Sequence, residues 1–233
     1  MAIFSNSTNH LSEFLRYIAK KSSSGEERIP ALTVLSKELQ VSVASLREQL
    51  EVARVLGFVE VKPRTGIRWL PYDFTPSVLL SVTYAISISK DYFEQFRDLR
   101  NHLEGAYFLE SVAKLTGNDI EKLKKIVINA EEKITSIPPK LPHAEHRQFH
   151  ARIFSKIKNK FVLSIFDVYW DVYEYQGYAI INDVEYLKRV WHYHRLVLDG
   201  IQSGNIHQAF DAFLEHKELM IKNYKPVPSQ TFE

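Results

Sequence analysis

The chain is 233 residues long, with 45% apolar and 25% charged residues, the balance of a globular protein with room for one large or two ordinary domains. Its 30 basic side chains nearly cancel 28 acidic ones, which excludes a general nucleic-acid coat but not a site-specific binder with local basic groups. Zero cysteines excludes disulfides, thiol catalysis and cysteine-rich zinc folds. With no apolar run of membrane-span length and no signal-peptide layout at Met1–Asn6, a cytoplasmic protein without a membrane partner is expected.

In chain order, the first helix is predicted over Leu11–Lys20, with Leu11, Phe14, Leu15 and Ile18 on one face, followed by a Ser22–Gly25 loop. Ile29-Pro30 opens a second helix carrying Leu32, Leu35 and Leu39, which Gln40-Val41-Ser42 breaks. Ser42 can cap a third, running through Leu46, Leu50, Ala53 and Leu56 to Gly57. Phe58–Val61 then alternates like a strand, and Lys62-Pro63-Arg64-Thr65-Gly66 turns back into Ile67-Arg68-Trp69. Helix, turn, helix and basic hairpin together predict a winged helix-turn-helix.

These residues resemble the DNA-binding domain of the GntR family of bacterial transcription regulators. The similarity covers roughly residues 10–70 and is carried by Pro30, Leu35, Val41, Ser42, Arg47, Glu48, Leu50, Gly57, Val59 and Gly66. Two positions depart from the family pattern: Thr33 and Val43 stand where it usually has arginines that meet DNA, so no operator sequence carries over. The first turns of a recognition helix meet base edges, which makes Val43, Ala44, Ser45 and Arg47 the expected readers. Arg47 is the candidate for guanine or phosphate, Ser45 for phosphate, and Val43 or Ala44 for a thymine methyl. At the wing, Arg64, Thr65 and Gly66 would approach the backbone or minor groove. From Arg28 to Arg68, seven basic residues (Arg28, Lys37, Arg47, Arg54, Lys62, Arg64, Arg68) face four acidic ones (Glu38, Glu48, Glu51, Glu60). So modest an excess implies two copies acting together on a double-stranded DNA operator, with affinity that falls as salt rises.

The DNA-binding domain is accordingly expected over 1–71, with a linker at 72–76 where Pro71 and Pro76 interrupt the pattern. Beyond it, apolar residues recur three and four apart with breaks at Thr116–Asp119, Pro138–Pro142 and Ser203–Asn205. The expected fold is therefore mostly α: an N-terminal winged helix with a small β-hairpin, then an all-α antiparallel bundle of about six helices over 77–225. The tail 226–233 is expected to fray.

Four histidines of the second half have suggestive spacing. His146 and His150 are four apart, so both rings leave one helix face, while His194 and His216 fall on two further helical segments. Neutral imidazole is a common ligand for zinc-like cations, and bundles build metal sites from facing helices. A histidine on a helix is also commonly a surface or hydrogen-bonded residue, and spacing alone leaves both readings open.

This half resembles the helical effector domain of one GntR subfamily, the FadR C-terminal domain. Many members bind a divalent metal through an Asp and three His. The resemblance places His150 (after Phe149), His194 (before Leu198-Asp199-Gly200-Ile201) and His216 at the three His positions, and His146 at the Asp position. Imidazole in place of carboxylate removes one negative charge and favours zinc or nickel over manganese or magnesium. Glu145 is not expected to replace the Asp, because it sits about 100° around the helix from His146. Arg100 and Glu104 match the subfamily's R-x-x-x-E beside the effector pocket, where a guanidinium can grip a small organic acid. Their i, i+4 spacing equally suits a plain ion pair. The aromatics Phe161, Phe166, Tyr169, Trp170, Tyr173 and Tyr175 read as bundle core, dimer interface or pocket wall. His102, His143, His192 and His207 fall outside the pattern, as surface residues or supports of the ligands.

The resemblance implies a homodimeric repressor on a palindromic operator, released or engaged by a small carboxylate at the metal. Two alternatives stand beside it: a metal-free regulator sensing an acyl-thioester, as FadR does, and a metal-dependent helical-bundle enzyme. The second would leave the winged helix without a role, so no enzymatic activity is expected.

Overall fold

A computed structural model describes residues 10–22, 28–175 and 183–222. The chain divides into two compact units, Met1–Ser81 and Val82–Glu233, with the division inside a helix shortly after the stretch 72–76. Most of the predicted loop at Ser22–Gly25 and the tail 226–233 lie outside the described residues.

In the N-terminal unit, α1 (Glu13–Lys21) starts at Ser12, whose hydroxyl accepts from Leu15 N. α2 (Leu32–Leu39) ends on Gln40 in the left-handed region, and α3 (Val43–Val55) is capped by Ser42, which accepts from Ser45 N at 3.2 Å. A cap of this kind satisfies a backbone donor that the first helical turn leaves unpaired. Strands β2 (Val59–Lys62) and β3 (Gly66–Trp69) form the wing, with Val61 opposite Ile67 and Glu60 opposite Arg68. A third strand, β1 (Arg28–Ile29), pairs antiparallel with β3 and gives the order β1-β3-β2. The hairpin prediction thus lacked one strand, too short to show alternation. Phe14, Ile18, Ile29, Leu35, Leu46, Ala53, Val59 and Ile67 close the core, and Trp69 Nε1 donates to Ile18 O at 3.2 Å. Gly57 joins α3 to the wing at φ +74°, and a Cβ there would meet Pro76 Cγ at 2.8 Å. Backbone conformation and space both require glycine.

The division between units passes through α4 (Thr75–Ile88). The C-terminal unit continues with α5 (Asp91–Val112), α6 (Gly117–Thr135), α7 (His143–Ile153), α8 (Lys160–Tyr175), α9 (Val184–Ser203) and α10 (Ile206–Lys222). The three predicted breaks fall between helices: Thr116 and Asp119 form a capping box at the start of α6, Pro138–Pro142 precedes α7, and Gly204 caps α9 at φ +76°. α9 packs against α10 and α6, α6 also against α7, and α5 against α8 and α10. Their shared core includes Phe108, Leu123, Val127, Phe149, Ile153, Trp191, Leu198 and Phe213. Among the described residues, no helix is long and apolar enough to cross a membrane.

Candidate metal centre and nucleic-acid surface

His146 and His150 lie one turn apart on α7, while His194 projects from α9 and His216 from α10. Gly200 decides how close α9 and α10 come. A Cβ on it would stand 2.7 Å from Ala209 N and 2.9 Å from Ala209 Cα, so only hydrogen fits between the two backbones. The resulting contact leaves the His194 and His216 ring centroids 4.3 Å apart. All six centroid separations within the quartet lie between 4.3 and 5.6 Å. One ligand atom from each ring falls within 4.8 Å of the other three, and none of the four residues is more than 9% exposed.

Burial holds all four imidazoles well below the usual histidine range. Neighbouring imidazoles add to the effect at His146, His194 and His216, and the Arg100 charge adds to it at His146, His150 and His216. At neutral pH the rings are uncharged, and each offers one nitrogen lone pair. Nε2 of His146 and Nδ1 of His216 are buried with no hydrogen-bond partner among the described residues, while His194 bonds the backbone of Val190 and turns its Nε2 toward His150 Nε2 at 3.4 Å. Neutral nitrogen donors converging in this way from three helices are a donor set that suits a zinc-like cation. Glu145 turns away to pair with Lys133 at 2.7 Å, as its position on the helix dictates.

Arg100 and Glu104, both on α5, are almost wholly buried and form an ion pair at 2.7 Å. Both touch His150: its Nδ1 lies 3.0 Å from Glu104 Oε1 and 3.1 Å from Arg100 Nη2. The guanidinium also contacts Asn101 Oδ1 at 3.2 Å and lies over the Tyr169 and Trp170 rings, 4.4 and 5.3 Å from their centroids. Burial pushes the Glu104 carboxyl up to about 7, outweighing the opposing charge of Arg100. Sequence reasoning missed the bond between Glu104 and His150, since 46 residues separate the partners and no local pattern links them.

Of the aromatics, Phe166, Tyr169, Trp170 and Tyr173 are buried on α8, whereas Phe161 and Tyr175 are exposed. Trp170 meets the edge of His146 at 4.9 Å. Beside the quartet, a cavity of about 10 Å³ is lined by Pro142, His143, His146, Tyr173, Tyr186 and Trp191 with two aliphatic neighbours. That is room for about one water molecule. His143, set aside in the sequence, faces this space and has a buried Nε2 without a partner among the described residues. His102, His192 and His207 are exposed. A wider hollow of about 880 Å³ belongs to the N-terminal unit, between α1 and the wing strands.

On the N-terminal unit, Ala44 and Arg47 are exposed on α3, while Val43 and Ser45 are half-buried in its first turn. Ser45 Oγ accepts from Gln49 Nε2 at 3.1 Å, which leaves its own hydroxyl proton free to donate outward. Among the described residues, Arg47 and Arg64 enter no ion pair, whereas Arg54 is held by Glu51 and Lys62 by Glu60. At the wing tip, Arg64 (φ +66°), half-buried Thr65 and Gly66 (φ +81°) make the turn.

The family model described as "FCD domain" matches residues 95–219, a span that includes the whole histidine quartet. The chain belongs to the FCD-domain family. None of the curated proteins compared with it matches significantly. Among solved structures, this FCD protein is similar to the Streptococcus agalactiae GntR, at 18% identity over 91% of this chain and 96% of that one, with a TM-score of 0.61. A GntR-family transcriptional regulator from Pseudomonas syringae pv. tomato aligns at 16% identity over 90% of this chain and 81% of its own, with a TM-score of 0.44. E. coli McbR/YncC aligns at 16% over 91% and 96%, with a TM-score of 0.48. The first of these likenesses establishes a shared fold, so the molecule is an FCD protein of GntR architecture.

Proposed function

We propose that this FCD protein is a GntR-type transcription regulator that binds a palindromic operator as a two-fold homodimer and senses a small carboxylate at a divalent metal. The observation that carries the reading is the buried quartet His146, His150, His194 and His216. Each unsatisfied buried polar atom costs about 1–3 kcal/mol, and His146 Nε2 and His216 Nδ1 are two of them in one cluster of neutral rings. A cation held by the four imidazoles would satisfy them, and an all-nitrogen set favours zinc or nickel. When bound, such a metal supplies a Lewis acid that attracts a carboxylate oxygen.

The residues around it have separate tasks. Arg100 brings a fixed positive charge, and its Nε, buried without a partner, is the donor left over for a second carboxylate oxygen. His143 and Tyr173 line the approach at the small cavity. Because that cavity holds about one water, an organic acid enters only if its walls part. A ligand that binds the parted arrangement better than the closed one shifts the population between them, which is the minimum a switch needs. In the N-terminal unit, Val43, Ala44, Ser45 and Arg47 are assigned to the major groove and Arg64, Thr65 and Gly66 to the backbone or minor groove. No catalytic role is assigned: Glu104, the carboxylate nearest the quartet, bonds one of its rings and does not line the cavity.

Two measurements test the reading. Metal analysis of untagged protein should give one zinc or nickel per chain, and a mobility-shift assay on DNA upstream of its own gene should show a salt-sensitive complex. A chain that neither carries nor takes up metal removes the sensor half, and failure to shift any upstream fragment removes the regulator half.

A further inference from the structure

We infer that Glu104 is a positioning residue that sets the tautomer of His150 and so makes its Nε2 available inside the quartet. The inference rests on the metal reading above but concerns a bond within the protein itself.

A neutral imidazole nitrogen either donates or accepts; it cannot do both. His150 Nδ1 has two buried polar neighbours that demand opposite behaviour. Glu104 Oε1, at 3.0 Å, also faces the Arg100 guanidinium at 2.7 Å, so any carboxyl proton resides on Oε2 and Oε1 requires a proton on Nδ1. Arg100 Nη2, at 3.1 Å, can only donate, so it requires a lone pair there. In the first case the Nε2 lone pair points toward His194 Nε2, 3.4 Å away, and into the quartet. In the second case a proton occupies that space and one of the four donors is lost.

Glu104 prevails because Arg100 is already engaged. Its Nη2 is ion-paired with the same carboxylate oxygen at 2.7 Å, an attraction between opposite charges that outweighs a bond to a neutral ring nitrogen. Oε1 thus collects the guanidinium and the ring N–H together. Arg100 is also fixed independently of Glu104, by Asn101 Oδ1 and by the faces of Tyr169 and Trp170. Removing the carboxylate therefore leaves the guanidinium in place as the only polar neighbour of Nδ1, and the ring proton moves to Nε2. Outer partners of this kind fix the orientation and tautomer of ligand imidazoles generally.

The test uses the full chain with 15N-labelled histidine. In metal-free protein, long-range 1H–15N correlation should show His150 as the Nδ1–H tautomer in the wild type and in Glu104→Gln, whose amide oxygen still accepts. Glu104→Met, similar in bulk but without an acceptor, should show Nε2–H. Competition titration with a chromophoric chelator should then show zinc affinity about 10–100-fold weaker in Glu104→Met, with a smaller loss in Glu104→Gln. An Nε2–H tautomer in the wild type overturns the inference even if neither variant folds. So does an unchanged tautomer or unchanged zinc affinity in Glu104→Met. If the wild type shows Nδ1–H yet takes up no zinc, the metal reading fails while the role of Glu104 is still judged by the tautomer.

Discussion

The recognition helix and the histidine quartet place functional groups in opposite ways. On α3, Arg47 and Ala44 face solvent, and their arrangement is local, fixed by one Ser42 cap and one apolar stripe. In the bundle, four rings from α7, α9 and α10 meet in the dark of the core, held there by the Gly200–Ala209 approach. An exposed site costs the fold little and can change with its target. A buried polar site is a standing strain unless something satisfies it. The two halves should therefore respond differently to substitution: the quartet through binding and stability together, α3 through binding alone.

The largest effect that would sharpen this contrast is expected from His216→Ala. Structural zinc sites contribute roughly 10–16 kcal/mol over about four ligands, so losing one should cost about 3 kcal/mol, or a hundredfold in affinity. Zinc titration checks the binding, and thermal melts check the other half of the claim. With chelator present, His216→Ala should lose only what the cavity left by the ring costs; with zinc present it should lose more, by the metal binding forfeited. Equal losses in both conditions would make the quartet an ordinary part of the core.

Next in size is the pH response of the metal-free protein. The four imidazoles titrate near 6.5 when unfolded but well below that when folded, so beneath pH 6.5 the unfolded chain takes up protons that the folded chain does not. Glu104 acts in the opposite sense: raised to about 7 when folded, it favours the native state at lower pH and loses that contribution as pH rises through 7. With His143, which burial also lowers, five imidazoles oppose one carboxyl, so stability should fall as pH drops from about 6.5 toward 5. Urea midpoints across that range measure it, and a midpoint that is flat or rises on acidification breaks the account of a buried neutral quartet. The winged-helix surface should show no such dependence, since its readers include no histidine.

The contrast between the sites also governs what could be read in advance. α3 was legible because its signals lie within a few residues: Ser42 before Leu46, then Leu50, Ala53 and Gly57. The quartet was half legible. His146 and His150 share a turn, but His194 and His216 are joined to them only by packing, and resemblance to the FadR C-terminal domain carried the step. β1 was missed because two residues cannot display a period, and its partner β3 lies 38 residues on. The gap between α4 and α5, at Ser89-Lys90, was missed as well, having neither glycine nor proline to mark it. Glu104 was expected beside an effector; the structure puts its carboxylate against His150, a contact that only the tertiary arrangement reveals.

On the exposed side, Arg47→Ala should weaken operator binding by about 1–3 kcal/mol per base contact while leaving the melting temperature and zinc affinity unchanged. Arg54→Ala is the internal control. That side chain lies further along the same helix but is already bound to Glu51, so its removal should matter less to DNA. Mobility-shift titrations of both variants decide the matter. If they weaken binding equally, α3 presents a diffuse charge and the first-turn assignment fails.

The smallest effect belongs to Ser42→Ala, and it tests whether α3 is as local as the comparison holds. Ser42 Oγ accepts from Ser45 N at 3.2 Å, and among the described residues no other side chain caps the start of this helix. Removing such a cap typically costs about 1 kcal/mol. Here the cost should be felt first in the turn that carries Val43, Ala44 and Ser45, where Ser45 N loses its partner. Ser45 Oγ is itself bonded by Gln49, and Gln49 Oε1 accepts from Phe14 N at 2.9 Å, so the fraying turn is tied to α1 and should not unravel past it. Amide exchange should therefore speed up at Ser45 and stay slow from Leu46 onward, with the FCD domain unaffected. Faster exchange through the whole of α3 would mean that its register depends on the cap rather than on the Leu46 and Ala53 contacts. The winged helix would then be no more independent of its context than the quartet is.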